Sequence, residues 1–156
     1  MRLMDLLNED SIRAGLAGES RDDVIRELVE LLVAQGALPE SSRERSVAAV
    51  LRREASQTTG LGSGVAIPHG VCDEAGDVIG AMGVHRDGVD FAAVDGQPVH
   101  IVILLLVPPN RFQAHVRTLA GIARVLNDPQ LRRSIIEASD PAAIMDILVA
   151  REEAAV

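Results

Sequence analysis

Seven consecutive apolar residues, "IVILLLV" at positions 101–107, constrain the fold of this chain more than any other stretch. The run is too short to cross a bilayer, which takes about 20 residues, and it fits a buried strand. Two further strands are predicted: "VIGAMGV" at 78–84, and a short "GVAIP" closed by Pro68, whose ring has no N–H for a ladder. Between the two longer strands, Asp95 followed by Gly96 signals a turn.

Elsewhere the apolar spacing changes to that of a helix. Over 21–35, Val24, Ile25, Leu28, Leu31 and Leu32 share one face, with Ser20 as N-cap, Asp22 and Asp23 in the first turn and Gly36 as a stop. A second helix is predicted after Pro39, with Val47, Val50 and Leu51 on one face and Arg52, Arg53 and Glu54 near its end. Phe112, Val116, Leu119, Ala123 and Leu126 mark a third over 112–126. Two more open on Asp128 with Pro129 and Asp140 with Pro141, an N-cap followed by proline at the first helical position. Helices thus precede, interrupt and follow the strands. The expectation is one α/β domain over 1–156, with a mixed β-sheet flanked by helices on both sides.

Composition removes several function classes. With two Phe and neither Tyr nor Trp, stacking of bases on aromatic rings is nearly excluded. The net charge of -8 repels a phosphate backbone, so no nucleic-acid partner is expected. All 15 basic residues are arginine, and a chain without lysine has neither a Schiff-base amine nor a Walker-type phosphate loop. The single Cys72 cannot form an internal disulfide or a multi-cysteine zinc site. The opening "MRLMDLLNED" is interrupted by Asp5 and does not read as a signal peptide. A cytoplasmic protein without direct membrane insertion is expected.

Chemistry concentrates in "TGLGSGVAIPHG", residues 59–70. His69 follows proline at the end of a short strand, where a side chain can face a cleft. Its neutral imidazole is a competent nucleophile near neutral pH. A phosphoryl group there would add about -1.5 to -2 charge, which calls for hydrogen-bond donors and a cation. Thr59, Gly60, Gly62, Ser63 and Gly64 are candidates to present backbone donors to that anion. The competing reading is an ordinary loop histidine. His115 lies in the first turn of its helix, an end that favours a bound anion, although a histidine there more often caps a core. Arg53 has the planar fork of a phosphate clamp; it could equally cap the last carbonyls of its helix, and periodicity does not choose between it and Arg52.

"GLGSG" lacks the last glycine of a dinucleotide fingerprint and precedes a strand rather than a long helix. His69, Cys72, Asp73 and His115 match no strong zinc spacing, so no metal and no other cofactor is expected. His85 and His100 read as structural, and Cys72 as a small buried residue.

Taken together, "LRREASQTTGLGSGVAIPHG" resembles the phosphorylation-site signature of the fructose/mannitol-class enzyme IIA of the bacterial phosphoenolpyruvate-dependent sugar phosphotransferase system. The downstream "FAAVDGQPVHIVILLLVPPNRFQAHVRTLAGIARVL" resembles that family's second block, a strand and loop leading to a histidine-headed helix. "DGQPV" and the strand after it are most similar to the nitrogen-regulatory branch. The resemblance implies that His69 accepts a phosphoryl group from the carrier protein HPr or a paralogue. It implies that His115 lies beside the acceptor and that Arg53 neutralises the transferred charge. The phosphate would pass to an enzyme IIB or act as a signal to regulatory target proteins; the alternative is a regulatory protein-binding module in which phosphotransfer is vestigial. Val71, Leu61 and Phe112 would form an apolar rim for the docking protein.

Overall fold

The structure is a computed structural model that describes residues 2–154. Its organising element is β6 (Val99–Val107), the buried strand that the apolar run predicts. From Ile101 to Val107 no residue is more than 4% exposed, because helices cover both sides of this strand. Its side chains alternate between two cores, as strand geometry requires. Val102, Leu104 and Leu106 pack with Val24, Ile25, Leu28 and Leu32 of α2 (Arg21–Ala34) and with Val47 and Val50 of α3 (Arg43–Ser56). Ile101, Ile103, Leu105 and Val107 face the other core, built by α4 (Phe112–Val125), α5 (Pro129–Glu137) and α6 (Pro141–Ala154). Leu3 of the short α1 (Leu3–Leu6) closes that second core.

The sheet is mixed. Antiparallel to β6 runs β5 (Ile79–Val89), from the pair Ile79 with Leu106 to Val89 with Val99. β1 (Ile12–Arg13) extends the sheet parallel to β5. On the other side of β6 lie two short parallel strands in succession. β3 (Val65–Ala66) pairs with Ile101 and Val102, and β4 (His69–Val71) pairs with Leu105, Leu106 and Val107. Pro68 separates them, and its carbonyl still accepts the Leu105 N–H at 3.0 Å. β2 (Gly60–Gly62) forms a hairpin with β3 and completes the six strands. The expected α/β domain, with helices on both faces of a mixed sheet, is what the chain builds.

Local signals account for most boundaries. The Ser20 hydroxyl accepts the Asp23 N–H, and the Asp128 and Asp140 carboxylates accept the Gln130 and Ala143 N–H groups at the starts of α5 and α6. β5 continues to Val89 rather than ending at 84. Past Val84 the ladder shifts register around the polar residues His85, Arg86 and Asp87, with Gly88 at φ +87°. The apolar signal ends there although the strand does not. His69 opens a strand of its own, β4, rather than ending the strand before Pro68.

Candidate active site

α3 packs directly on β4, and glycine makes that approach possible. A Cβ on Gly70 would lie 3.0 Å from the backbone N of Val50 and 3.2 Å from the carbonyl carbon of Ala49. The missing side chain therefore lets the helix backbone rest against the strand that carries His69. Beside this contact opens a cleft of about 470 Å³. From α3 it is lined by Ala49, Arg52 and Arg53, and from β4 by His69, Gly70 and Val71. Val107, Pro108 and Pro109 line it where β6 ends, and His115 of α4 completes it. The parallel register of β4 and β6 thus sets His69 at the same end of the sheet as the loop leading into α4.

His69 and His115 meet there with ring centroids 4.8 Å apart and planes tilted by 58°. His115 is 6% exposed and sits in the first turn of α4, the end of a helix that favours an anion. His69 is half-buried, and its Nδ1 lies 2.9 Å from the Ile67 carbonyl oxygen. A carbonyl can only accept, so in the neutral ring Nδ1 carries the proton and Nε2 keeps its lone pair. Arg53 donates from one guanidinium nitrogen to the Gln57 carbonyl at 2.6 Å, just beyond the end of α3, while lining the cleft. Capping and a place in the site are therefore not exclusive for this residue. Arg52 lines the same cleft, but it is the Arg53 charge that bears on both imidazoles.

These surroundings keep both rings uncharged at neutral pH. Burial pushes the His69 pKa below the ordinary imidazole value; the Ile67 carbonyl opposes this, Arg53 adds to it and Glu54 opposes it. His115 is pushed down to about 4, by burial first, then by His69 and Arg53. The stability consequence has a definite sign. The unfolded chain takes up a proton at His115 near pH 6.5, the folded protein only near 4, so stability falls as pH drops through that interval. We expect thermal melting midpoints to decline over this range and His115→Gln to flatten the decline. An unchanged slope in the variant would remove His115 from this role.

The glycine-rich stretch has a different task from the one expected of it. Ser63 and Gly64 are the two central residues of the β2–β3 hairpin, with φ +58° and +81°, the left-handed pair of a type I′ turn. Donors of Thr59, Gly60 and Ser63 are engaged elsewhere. The Thr59 N–H and hydroxyl both donate to Glu54, the Gly60 N–H to the Thr58 hydroxyl, and the Ser63 N–H to Asp95. The described lining of the His69 cleft does not include Thr59, Gly60, Gly62, Ser63 or Gly64; Gly62 and Ser63 border a separate depression with Asn127 and Arg132. Glycine serves a tight turn and an anion site equally well, so composition alone does not separate the two.

Val71 is 57% exposed on the cleft rim, whereas Leu61, 50% exposed, belongs to the other depression. The Phe112 side chain lies outside the described residues. His85 is not among the described residues that line the cleft; its Nε2 lies 2.8 Å from the Gly18 carbonyl, and His100 Nδ1 lies 2.9 Å from the His85 carbonyl, so both tie backbone segments together. Cys72 is buried near the Ser46 hydroxyl. Among the described residues no three His, Cys, Asp or Glu side chains gather as a metal site, and no helix is long and apolar enough to cross a membrane. In the sequence Glu54 is marked by its place after Arg53 near the end of its helix, and Gly70 carries no local sign of its contact with α3.

Comparisons with known proteins identify the family and the fold. The family model described as "Phosphoenolpyruvate-dependent sugar phosphotransferase system, EIIA 2" matches residues 5–150. A nitrogen regulatory protein of Bradyrhizobium diazoefficiens is 35% identical over 149 residues, covering 95% of each chain. The fructose-specific EIIABC component of Bacillus subtilis is 31% identical over 95% of this chain, which spans 23% of that longer protein. Among solved structures, the nitrogen regulatory protein IIA-Ntr of Neisseria meningitidis superposes with a TM-score of 0.82 at 29% identity, covering 94% of this chain and 98% of that one.

Proposed function

The chain belongs to the EIIA 2 family of the phosphoenolpyruvate-dependent sugar phosphotransferase system, and on that premise we propose that it carries a phosphoryl group on Nε2 of His69. The observation that carries this reading is the Ile67 carbonyl on Nδ1 of His69, which leaves the other nitrogen unprotonated in a cleft shared with His115 and Arg53. In the transfer, the Nε2 lone pair attacks phosphorus in line with the donor P–N bond. That bond breaks as the new one forms, and the donor imidazole recovers its electron pair. The His69 proton stays on Nδ1, so the step needs no base. One P–N bond replaces another, which makes the exchange nearly balanced and reversible. The protein contributes position and charge stabilisation: Arg53 supplies the cation, and the first turn of α4 with His115 supplies a partner for the phosphoryl oxygens.

The donor is HPr or a paralogue, and the protein acts in the cytoplasm. Its phosphorylation state then acts as a signal in nitrogen or metabolic regulation. The 35% identity to a nitrogen regulatory protein over 95% of both chains supports this branch. The second reading is delivery of the phosphate to an enzyme IIB in sugar uptake, favoured by the 31% identity to a fructose-specific EIIABC component. Affinity for candidate target proteins, measured with and without phosphate on the protein, separates the readings. Equal affinities in the two states count against signalling.

Incubation with phosphoenolpyruvate, enzyme I and HPr is expected to add one phosphate, read by intact-mass spectrometry; no uptake contradicts the carrier reading. Arg53→Ala and His115→Ala are expected to remain folded while transfer slows. For Arg53→Ala the slowing should reach about 100-fold, the usual loss when one charge-stabilising donor is removed. Stopped-flow rates equal to wild type in both variants would exclude the supporting roles.

A further inference from the structure

Glu54 is 2% exposed, a carboxylate withdrawn from water at the end of α3. Such a group needs close partners, and it has two from one residue. The Thr59 N–H donates to Oε2 at 2.7 Å and the Thr59 hydroxyl to Oε1 at 2.6 Å. The connection does not end at Thr59. Its carbonyl accepts the Ile67 N–H at 3.2 Å, and the Ile67 carbonyl lies 2.9 Å from Nδ1 of His69. An unbroken line of hydrogen bonds thus runs from Glu54 through Thr59 and Ile67 to His69, crossing from α3 to the strands.

We propose that Glu54 is a positioning residue for phosphoryl acceptance, fixing through Thr59 and Ile67 the carbonyl that holds the His69 proton on Nδ1. The inference rests on His69 being the acceptor. Groups that orient a reactive imidazole usually touch it directly, as a carboxylate or a carbonyl on the second nitrogen. Here the carbonyl makes the contact and the carboxylate fixes the carbonyl. The segment needs such a clamp, because Pro68 has no N–H with which to continue the ladder between β3 and β4. Glu54 also adjoins Arg53 in the chain, so the same clamp registers the arginine against the histidine. Geometry outweighs charge in this role: among the influences on His69, the Glu54 charge ranks last.

Two variants separate shape from charge. Glu54→Gln keeps the length and one acceptor for the Thr59 N–H, while Glu54→Asp keeps the charge but withdraws the carboxylate by one methylene. Nitrogen-15 NMR of the His69 ring reports which nitrogen is protonated, and rates of phosphate uptake from phosphorylated HPr report kcat and KM. We expect Glu54→Gln to keep the single Nδ1–H form and a kcat within threefold of wild type. Glu54→Asp is expected to show a mixture of both tautomers and a kcat about tenfold lower, with KM unchanged. A merely stabilising residue would lower the melting temperature and leave the tautomer alone. The proposal is overturned if folded Glu54→Asp retains only the Nδ1–H form, or if Glu54→Gln loses as much rate as Glu54→Asp. The tautomer is read in unphosphorylated protein, so this result stands apart from any failure of His69 as the acceptor.

Discussion

His69→Ala is expected to yield a folded protein that takes up no phosphate from phosphoenolpyruvate, enzyme I and HPr. Of the two imidazoles among the described cleft residues, His69 is the more exposed. His115 is 6% exposed, and neither Arg53 nor Arg52 has a lone pair to offer. The fold should survive, because β4 is held to β6 by backbone pairing from His69 with Leu105 to Val71 with Val107. Loss of the side-chain bond to Ile67 costs about 1 kcal/mol, or about 2–4 °C in melting temperature for a chain of this size. Circular dichroism checks the fold and intact-mass spectrometry the phosphate. Undiminished labelling of the variant would move the acceptor elsewhere.

Gly70→Val is expected to be the most damaging change that alters no polar side chain of the cleft. Its Cβ would lie 3.0 Å from both the backbone N and Cγ2 of Val50, and 3.2 Å from the Ala49 carbonyl carbon. A flexible side chain could turn aside, but the helix backbone cannot, so α3 has to move away from β4. Forcing extra carbon into such a contact costs about 1–3 kcal/mol, a loss of about 2–12 °C at about 2–4 °C per kcal/mol. Because Arg53 rides on α3, transfer by the protein that remains folded should also slow by about tenfold, the effect of a small misplacement of a positioned group. Gly70→Ala should show both effects in weaker form. Wild-type melting and transfer rate in Gly70→Val would mean that the helix–strand contact does not set the arginine.

How legible the molecule is in its sequence depends on how far apart the interacting residues lie. The buried run at 101–107 predicts β6, because a strand covered on both sides has no polar alternation to lose. Ser20, Asp128 and Asp140 predict helix starts because a cap acts within three residues. The hairpin at Ser63 and Gly64 is local too, yet its glycines suggest an anion site equally well; what distinguishes the two is Asp95, far along the chain, taking the Ser63 N–H. The site is less legible still. His69 and His115 come together only because β4 and β6 run parallel and α4 begins where β6 ends. No periodicity carries that information, and the family resemblance supplied the pairing. The role of Gly70 depends on the backbone of another element, and that of Glu54 on a bond to Thr59 across the end of its helix.

The most direct measurement is to locate the phosphate. Protein labelled with nitrogen-15 at histidine, phosphorylated by phosphoenolpyruvate, enzyme I and HPr, should show one phosphorus-coupled ring nitrogen. The geometry predicts that this is Nε2 of His69, with the proton still on Nδ1 toward the Ile67 carbonyl. A phosphate on Nδ1 of His69, on His115, or on any other residue would contradict it.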